Sequence, residues 1–163
     1  MSVKLAASLA LLAAAASGAA GQAHAAGAPI TVEVGNVRNN HGRVRVTICP
    51  QERFLNDAGC KYEGSAPAHA GTTTITIDNV PPGQWAAQAF FDENDNNKVD
   101  KMLFGIPKEG VGFSRDARMP MRAPKWEDAV FSHDGAAQTI HFSLRYFWGP
   151  DSPQAWAKAH PKG

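Results

Sequence analysis

The chain carries few of the patterns that mark an enzyme. There is no Gly-x-Ser-x-Gly elbow, no His-Glu-x-x-His pair and no glycine loop of the kind that cradles phosphate. Charge of one sign is lacking too: 16 Lys and Arg stand against 15 Asp and Glu in 163 residues. That near balance removes the overall electrostatic case for nucleic acid or an anionic membrane surface as partner. The longest apolar run, Leu5 to Ala16, falls short of the ~20 residues a membrane-spanning helix needs. Cysteine is scarce, with Cys49 and Cys60 alone and no Cys-x-x-Cys, which leaves a redox pair or thiolate metal cluster without support.

What is present begins with a leader. Lys4 supplies a positive start, Leu5 to Ala16 an uncharged apolar segment, and Ala23-His24-Ala25 a small-x-small cleavage site. Residues 1–25 therefore read as a signal peptide cut after Ala25, and the mature protein is expected to be periplasmic or secreted. No cysteine stands at the cleavage point to take a lipid. The remaining length suits one domain, placed at 26–148, with a flexible Pro-, Ala- and Lys-rich tail at 149–163. In an oxidising compartment Cys49 and Cys60 are expected to form a structural disulfide, closing a loop worth roughly 2–3 kcal/mol.

The period of the mature chain is two. Ile30, Val32 and Val34 alternate with Thr31 and Glu33, and Val44, Val46 and Ile48 alternate with Arg43, Arg45 and Thr47. The turn Asn39-Asn40-His41-Gly42 between them predicts a hairpin. Pro50 to Gly71 has no sustained period beyond a helical turn near Glu52 to Leu55 and reads as an excursion. Thr72 to Val80 and Trp85 to Phe91 are further strands around Pro81-Pro82-Gly83, and Gln138 to Phe147 a last one. Pro124 to Ala129 reads as a short helix. The sum is an all-β protein: a small Ig-like or transthyretin-like β-sandwich with one short helix, one or two extra strands and a long acidic loop. A small closed barrel is the competing architecture. The expected interior is Val32, Val34, Val44, Val46, Ile48, Ile75, Ile77, Trp85, Phe90, Ile140, Phe142 and Leu144. Ala89 and Phe91 are the inward pair if the Phe90-Phe91 doublet is read in the other phase.

Four segments carry a resemblance. They are Val80-Pro81-Pro82-Gly83-Gln84-Trp85, the run from Phe91 to Asp100, the run from Phe104 to Ser114 with its Gly-x-Pro-x-Glu-Gly core, and Ala123 to Ala129. Together they resemble the exported bacterial family catalogued as domain of unknown function 2141, a likeness that implies no reaction. The Pro-Pro-Gly-x-aromatic turn is also similar to transthyretin-like and carboxypeptidase-regulatory-like sandwich domains, which implies Trp85 over the core. Where family members carry Gly, this chain has Asn97, the next-best residue at a positive-φ position.

The strongest candidate site is the loop Asp92 to Asp100. Asp92, Asn94, Asn96 and Asp100 place side-chain oxygens at positions one, three, five and nine, and the Lys98 carbonyl falls at position seven. That is the ligand ladder of an EF-hand-type calcium loop, since a hard cation takes six to eight oxygens. Position twelve is Leu103 instead of the bidentate Glu, so Glu109 is the candidate to complete the shell, with Asp116 as a further carboxylate. The competing reading is a polar loop held by its own Asx turns. Met119, Met121 and His133 form a weaker candidate for cuprous copper, against core packing of the methionines. Trp126, Trp148 and Trp156 could form an aromatic sugar platform, with Trp126 the more natural core plug. His41, His69, His141 and His160 have no obvious partner. The functional expectation is an exported, non-catalytic binding or structural module of the cell envelope, ordered by calcium, with an envelope protein or a glycan as partner. The alternative is a small hydrolase or metal-handling protein using the Asp92–Asp116 segment.

Overall fold

The computed structural model describes residues 27–56, 59–102, 105–120, 122–150 and 152. The expected signal peptide and nearly all of the expected tail, with Trp156 and His160, lie outside the described residues.

Two sheets pack face to face. The first has three strands in the order β4-β1-β8: β1 (Ala28–Val37) lies antiparallel to β4 (Gly71–Val80) and parallel to β8 (Gln138–Ser143). The second follows the order β3-β2-β5-β6, with β2 (Arg43–Cys49), β3 (Tyr62–Pro67), β5 (Gly83–Asp92) and β6 (Val111–Phe113). A short β7 (Phe131–His133) pairs with the start of β5, after the one-turn helix α1 (Trp126–Ala129). Alternation fixes which face is buried: Ile30, Val32, Val34, Val44, Val46, Ile48, Ile75 and Ile77 interdigitate between the sheets, and Phe142, Leu144 and Tyr146 close the layer. The chain stitches one edge shut as it leaves β8. Leu144 N–H still reaches the Gly35 carbonyl in β1, whereas Arg145 exchanges both backbone hydrogen bonds with Val111 of β6.

Several expectations need correction. β1 and β2 do not pair as a hairpin; the Asn39–Gly42 turn carries the chain from one sheet to the other. Both edges of each strand are taken by others, β1 by β4 and β8 and β2 by β3 and β5, so neither has an edge left for the other. The excursion from Pro50 to Gly71 contains β3, whose inward positions are Tyr62, Gly64 and Ala66, too small and mixed to announce a strand. At Gly64 an added Cβ would stand 2.8 Å from Ile75 Cγ2, so the glycine is what lets β3 lie on β4. On β5 the inward residues are Ala87, Ala89 and Phe91, and Phe90 is half-buried on the outer side. The expected Cys49–Cys60 disulfide is present and ties the end of β2 to the entry of β3. No helix among the described residues is long and apolar enough to cross a membrane.

Candidate functional site

The Asp92–Asp100 loop is built on the end of β5, whose last residue still pairs with Arg43 of β2, and beyond it the backbone turns through left-handed residues. Asp95 and Asn97 have φ of 54° and 62°, the position the sequence marked for a glycine substitute. The Asp92 side chain is wholly buried and anchors the turn. It accepts hydrogen bonds from Arg45 Nε at 2.7 Å, from Asn96 N–H at 2.9 Å and from Asn97 N–H at 2.8 Å. Burial pushes the Asp92 carboxyl up, but the Arg45 hydrogen bond, the two amides and the guanidinium charge outweigh it and hold the group below the usual carboxylate range. Arg45 also reaches Asp95 Oδ1 at 2.7 Å.

Of the other predicted ligands, Asn94, Asn96 and Glu109 bond to Asp100, and Lys98 is tied to the loop by its backbone N–H. The two Asp100 carboxylate oxygens accept Asn94 Nδ2 at 2.9 Å and Asn96 Nδ2 at 3.1 Å. Asn94 Oδ1 and Asn96 Oδ1 accept the backbone N–H of Asn96 and Lys98, both Asx turns. Glu109, 4% exposed, closes the loop from the far side: one oxygen accepts Glu93 N–H at 3.2 Å and the other Asp100 N–H at 3.1 Å. Burial pushes the Glu109 carboxyl above its ordinary value; the two amides oppose this, and Asp100 and Asp92 add to it. Arg38 clamps Glu93 through both guanidinium arms and lies 4.7 Å over the Tyr146 ring, which pins the loop to the end of β1. Asp92, Asn94, Asn96, Asp100 and Glu109 are thus brought together. Among the described residues, however, no three His, Cys, Asp or Glu side chains are gathered as a metal would need.

The Glu109-Gly110-Val111-Gly112-Phe113-Ser114 run proves to be architectural. A Cβ on Gly110 would meet the Tyr146 ring at 2.5 Å, and one on Gly112 the Ser143 carbonyl at 2.8 Å. Ser114 is buried and bonds β5 to α1: its Oγ accepts Ala87 N–H at 3.0 Å and donates to the Ala129 carbonyl at 2.5 Å. The other candidates are dispersed. Glu109 and Asp116 flank β6 at opposite ends, and the Asp116 carboxylate accepts Ser143 N–H. His133 is buried on β7 with its ring nitrogens at Gln138 Oε1 and the Val80 carbonyl. Met119 packs with Phe54 and Trp126 in a small outer cluster around Ala86, Phe113, Ala117 and Ala129; Met121 lies outside the described residues. Trp148 is 61% exposed and stands outside that cluster.

Sequence reasoning missed the outer face of the second sheet. The small cluster covers its lower half, over the start of β5. The rest is an open groove of about 830 Å³ whose floor includes Gln88, Phe90, Val111 and Phe113. The acidic loop and the segment after it, through Val99 and Ile106, wall one end of the β5–β6 pair, and the chain after β6, through Met119 and Arg122, walls the other. The structure takes the second phase of the Phe90-Phe91 doublet, with Ala89 and Phe91 inward, and so leaves Phe90 on the groove floor. The doublet Phe90-Phe91 was its signal, since a strand with bulky residues on both faces has something to cover on both. Among curated proteins and solved structures, nothing matches the chain. A family model does match over residues 32–141, the span that holds most of both sheets, the acidic loop and the groove floor, and the chain belongs to that bacterial family, described as an uncharacterized protein conserved in bacteria (DUF2141).

Proposed function

We propose that this protein is exported and acts in the periplasm or outside the cell as a non-catalytic binding module of the envelope. Its ligand surface is the open outer face of the second sheet. The observation that carries the reading is the groove of about 830 Å³ over β5 and β6, a size and mixed lining typical of ligand sites. The leader pattern and the Cys49–Cys60 disulfide support export. The competing hydrolase lacks the convergence it needs, because Glu109, Asp116 and His133 stand on different parts of the fold. Protein from the native host should have lost 25 residues by intact mass. Amide resonances of Gln88, Phe90, Val111 and Phe113 should shift when the mature protein is titrated with an envelope extract. Shifts confined to β1 and β4, or none, would overturn the reading.

Calcium ordering of the acidic loop is a second proposal, supported by the hydrogen-bond network in which Asn94 and Asn96 bond the Asp100 carboxylate, Glu109 bonds the Asp100 N–H and Asp92 bonds the Asn96 N–H. An ion would replace the Asn94 and Asn96 amide donors at Asp100 and compete with Arg45 for Asp92, so affinity should be modest. Millimolar calcium should raise the melting temperature of the wild type and leave Asp92→Ala and Asp100→Ala unchanged. A wild type that does not respond refutes it.

A further inference from the structure

A second cavity adjoins the groove. A cleft of about 390 Å³ lies beside it, lined by residues 115–118, 120, 122–125, 127 and 128, and Arg122 and Ala123 line both. The cleft rests on two successive non-glycine residues in left-handed backbone, Arg115 at φ 60° and Asp116 at φ 50°. Such strain persists only where surrounding contacts enforce it. Here Asp116 Oδ1 accepts Ser143 N–H, and Arg115 Nη1 donates to the Glu127 and Val130 carbonyls.

The two cavities differ in chemistry. Much of the groove is apolar, with Phe90, Val99, Ile106, Met119 and Phe147 in its lining. Its rim and the cleft carry Lys98, Lys101, Arg118, Arg122 and Lys125, and among the described residues none of these has an ion pair. Arg45, by contrast, is committed to Asp92 and Asp95. Acidic side chains are fewer: Glu63 in the groove, and Asp116, Glu127 and Asp128 in the cleft. Asp116 and Asp128 each already accept a backbone N–H. An apolar floor selects a ligand with apolar surface to bury, and unpaired cations at one end select an anion.

Resting on the binding-module reading, we infer that groove and cleft form one compound site for a single-chain anionic amphiphile. The anionic head sits in the cleft at Arg118, Arg122 and Lys125, and the hydrocarbon chain lies along Phe90 and Ile106. A polysaccharide or acidic peptide would satisfy the cations and leave the apolar floor exposed to water.

The test is calorimetric titration of the mature protein below the micellar concentration. The probes are monododecyl phosphate, monooctyl phosphate, inorganic phosphate, dodecyl maltoside and polyglutamate. Dodecyl phosphate should bind with micromolar Kd, octyl phosphate at least tenfold more weakly, and the other three not measurably. Arg122→Glu should weaken dodecyl phosphate at least tenfold, and Arg122→Gln should fall between. Both variants should keep the wild-type melting temperature, because Arg122 is exposed and, among the described residues, has no ion pair. Phe90→Ser should weaken the alkyl phosphates and lose their dependence on chain length. Equal binding of maltoside, phosphate or polyglutamate overturns the inference, as does indifference to Arg122→Glu. If no probe binds while an envelope extract still shifts the groove amides, the amphiphile is wrong and the binding module stands; a groove silent to both removes both.

Discussion

Gly110 offers the sharpest test of how the acidic loop is held. A methyl group there would stand 2.5 Å and 2.6 Å from Tyr146 Cε1 and Cζ, whereas carbon atoms rest about 3.5–4.0 Å apart. The ring cannot simply yield. It is 2% exposed, its hydroxyl donates to the Asn36 carbonyl at 3.0 Å and accepts Arg38 N–H at 3.2 Å, and the Arg38 guanidinium covers its face. Withdrawal by about 1 Å relieves the contact and breaks both hydrogen bonds. Overpacking costs about 1–3 kcal/mol and the two bonds about 1 kcal/mol each, so Gly110→Ala should destabilise by about 3–5 kcal/mol. Urea denaturation measures this directly. If ring and methyl collide, Tyr146→Leu relieves part of the cost, and the double variant should be less destabilised than the sum of the singles by at least ~1.5 kcal/mol. Strict additivity, or a cost under ~0.5 kcal/mol, would refute the contact and with it the architectural reading of the Glu109–Ser114 run.

Acid should act through the carboxylates of the loop. The folded-state values of Asp92 and Glu93 are depressed, so their contribution is present above the unfolded values and lost as pH falls through the folded ones, below about 4. Glu109 is raised, so it has the opposite sign: its contribution is complete below its unfolded value and lost as pH rises through the folded one. Melting temperature against pH should therefore show a shallower acid limb in Asp92→Asn than in the wild type, and superimposable limbs contradict the assignment. Phe142, 1% exposed between the sheets, should cost about 3–5 kcal/mol when replaced by Ala; a near-neutral result by urea titration would place the last strand in the wrong register. Reducing Cys49–Cys60 should cost about 3 kcal/mol for its short loop, and denatured, unreduced protein should titrate no free thiol.

The strands with clean alternation could be read directly. Val32, Val34, Val44, Val46 and Ile48 declare their inward face because β-branched residues recur every second position against Thr, Glu and Arg. Pairing could not be read in the same way. A period of two says which side chains point inward and nothing about which strand lies alongside, and the Asn-rich turn at 39–42 fits a crossover between sheets as well as a hairpin. β3 escaped because Gly64 and Ala66 pack by being small, and β6 because three residues are too few for any period. The near-alternate spacing of Asp92, Asn94, Asn96 and Asp100 lets their side chains share one hydrogen-bond network. Arg45, which takes Asp92, could not be foreseen, since it joins the loop from 47 residues away across the β2–β5 pairing. The groove needs the loop, the sheet face and the chain after β6 together, and local sequence holds no record of that meeting.

If the outer face over β5 and β6 holds an envelope component, site-specific photo-crosslinking in the native host captures it there. Benzoylphenylalanine at Phe90 and at Ile106 places the reactive carbonyl in the groove; at Thr74, exposed on the outward side of β4, it places the same group on the opposite sheet. Adducts should form in the envelope fraction from both groove positions and none from Thr74. No adduct from the groove, or the same adduct from Thr74, would contradict binding there.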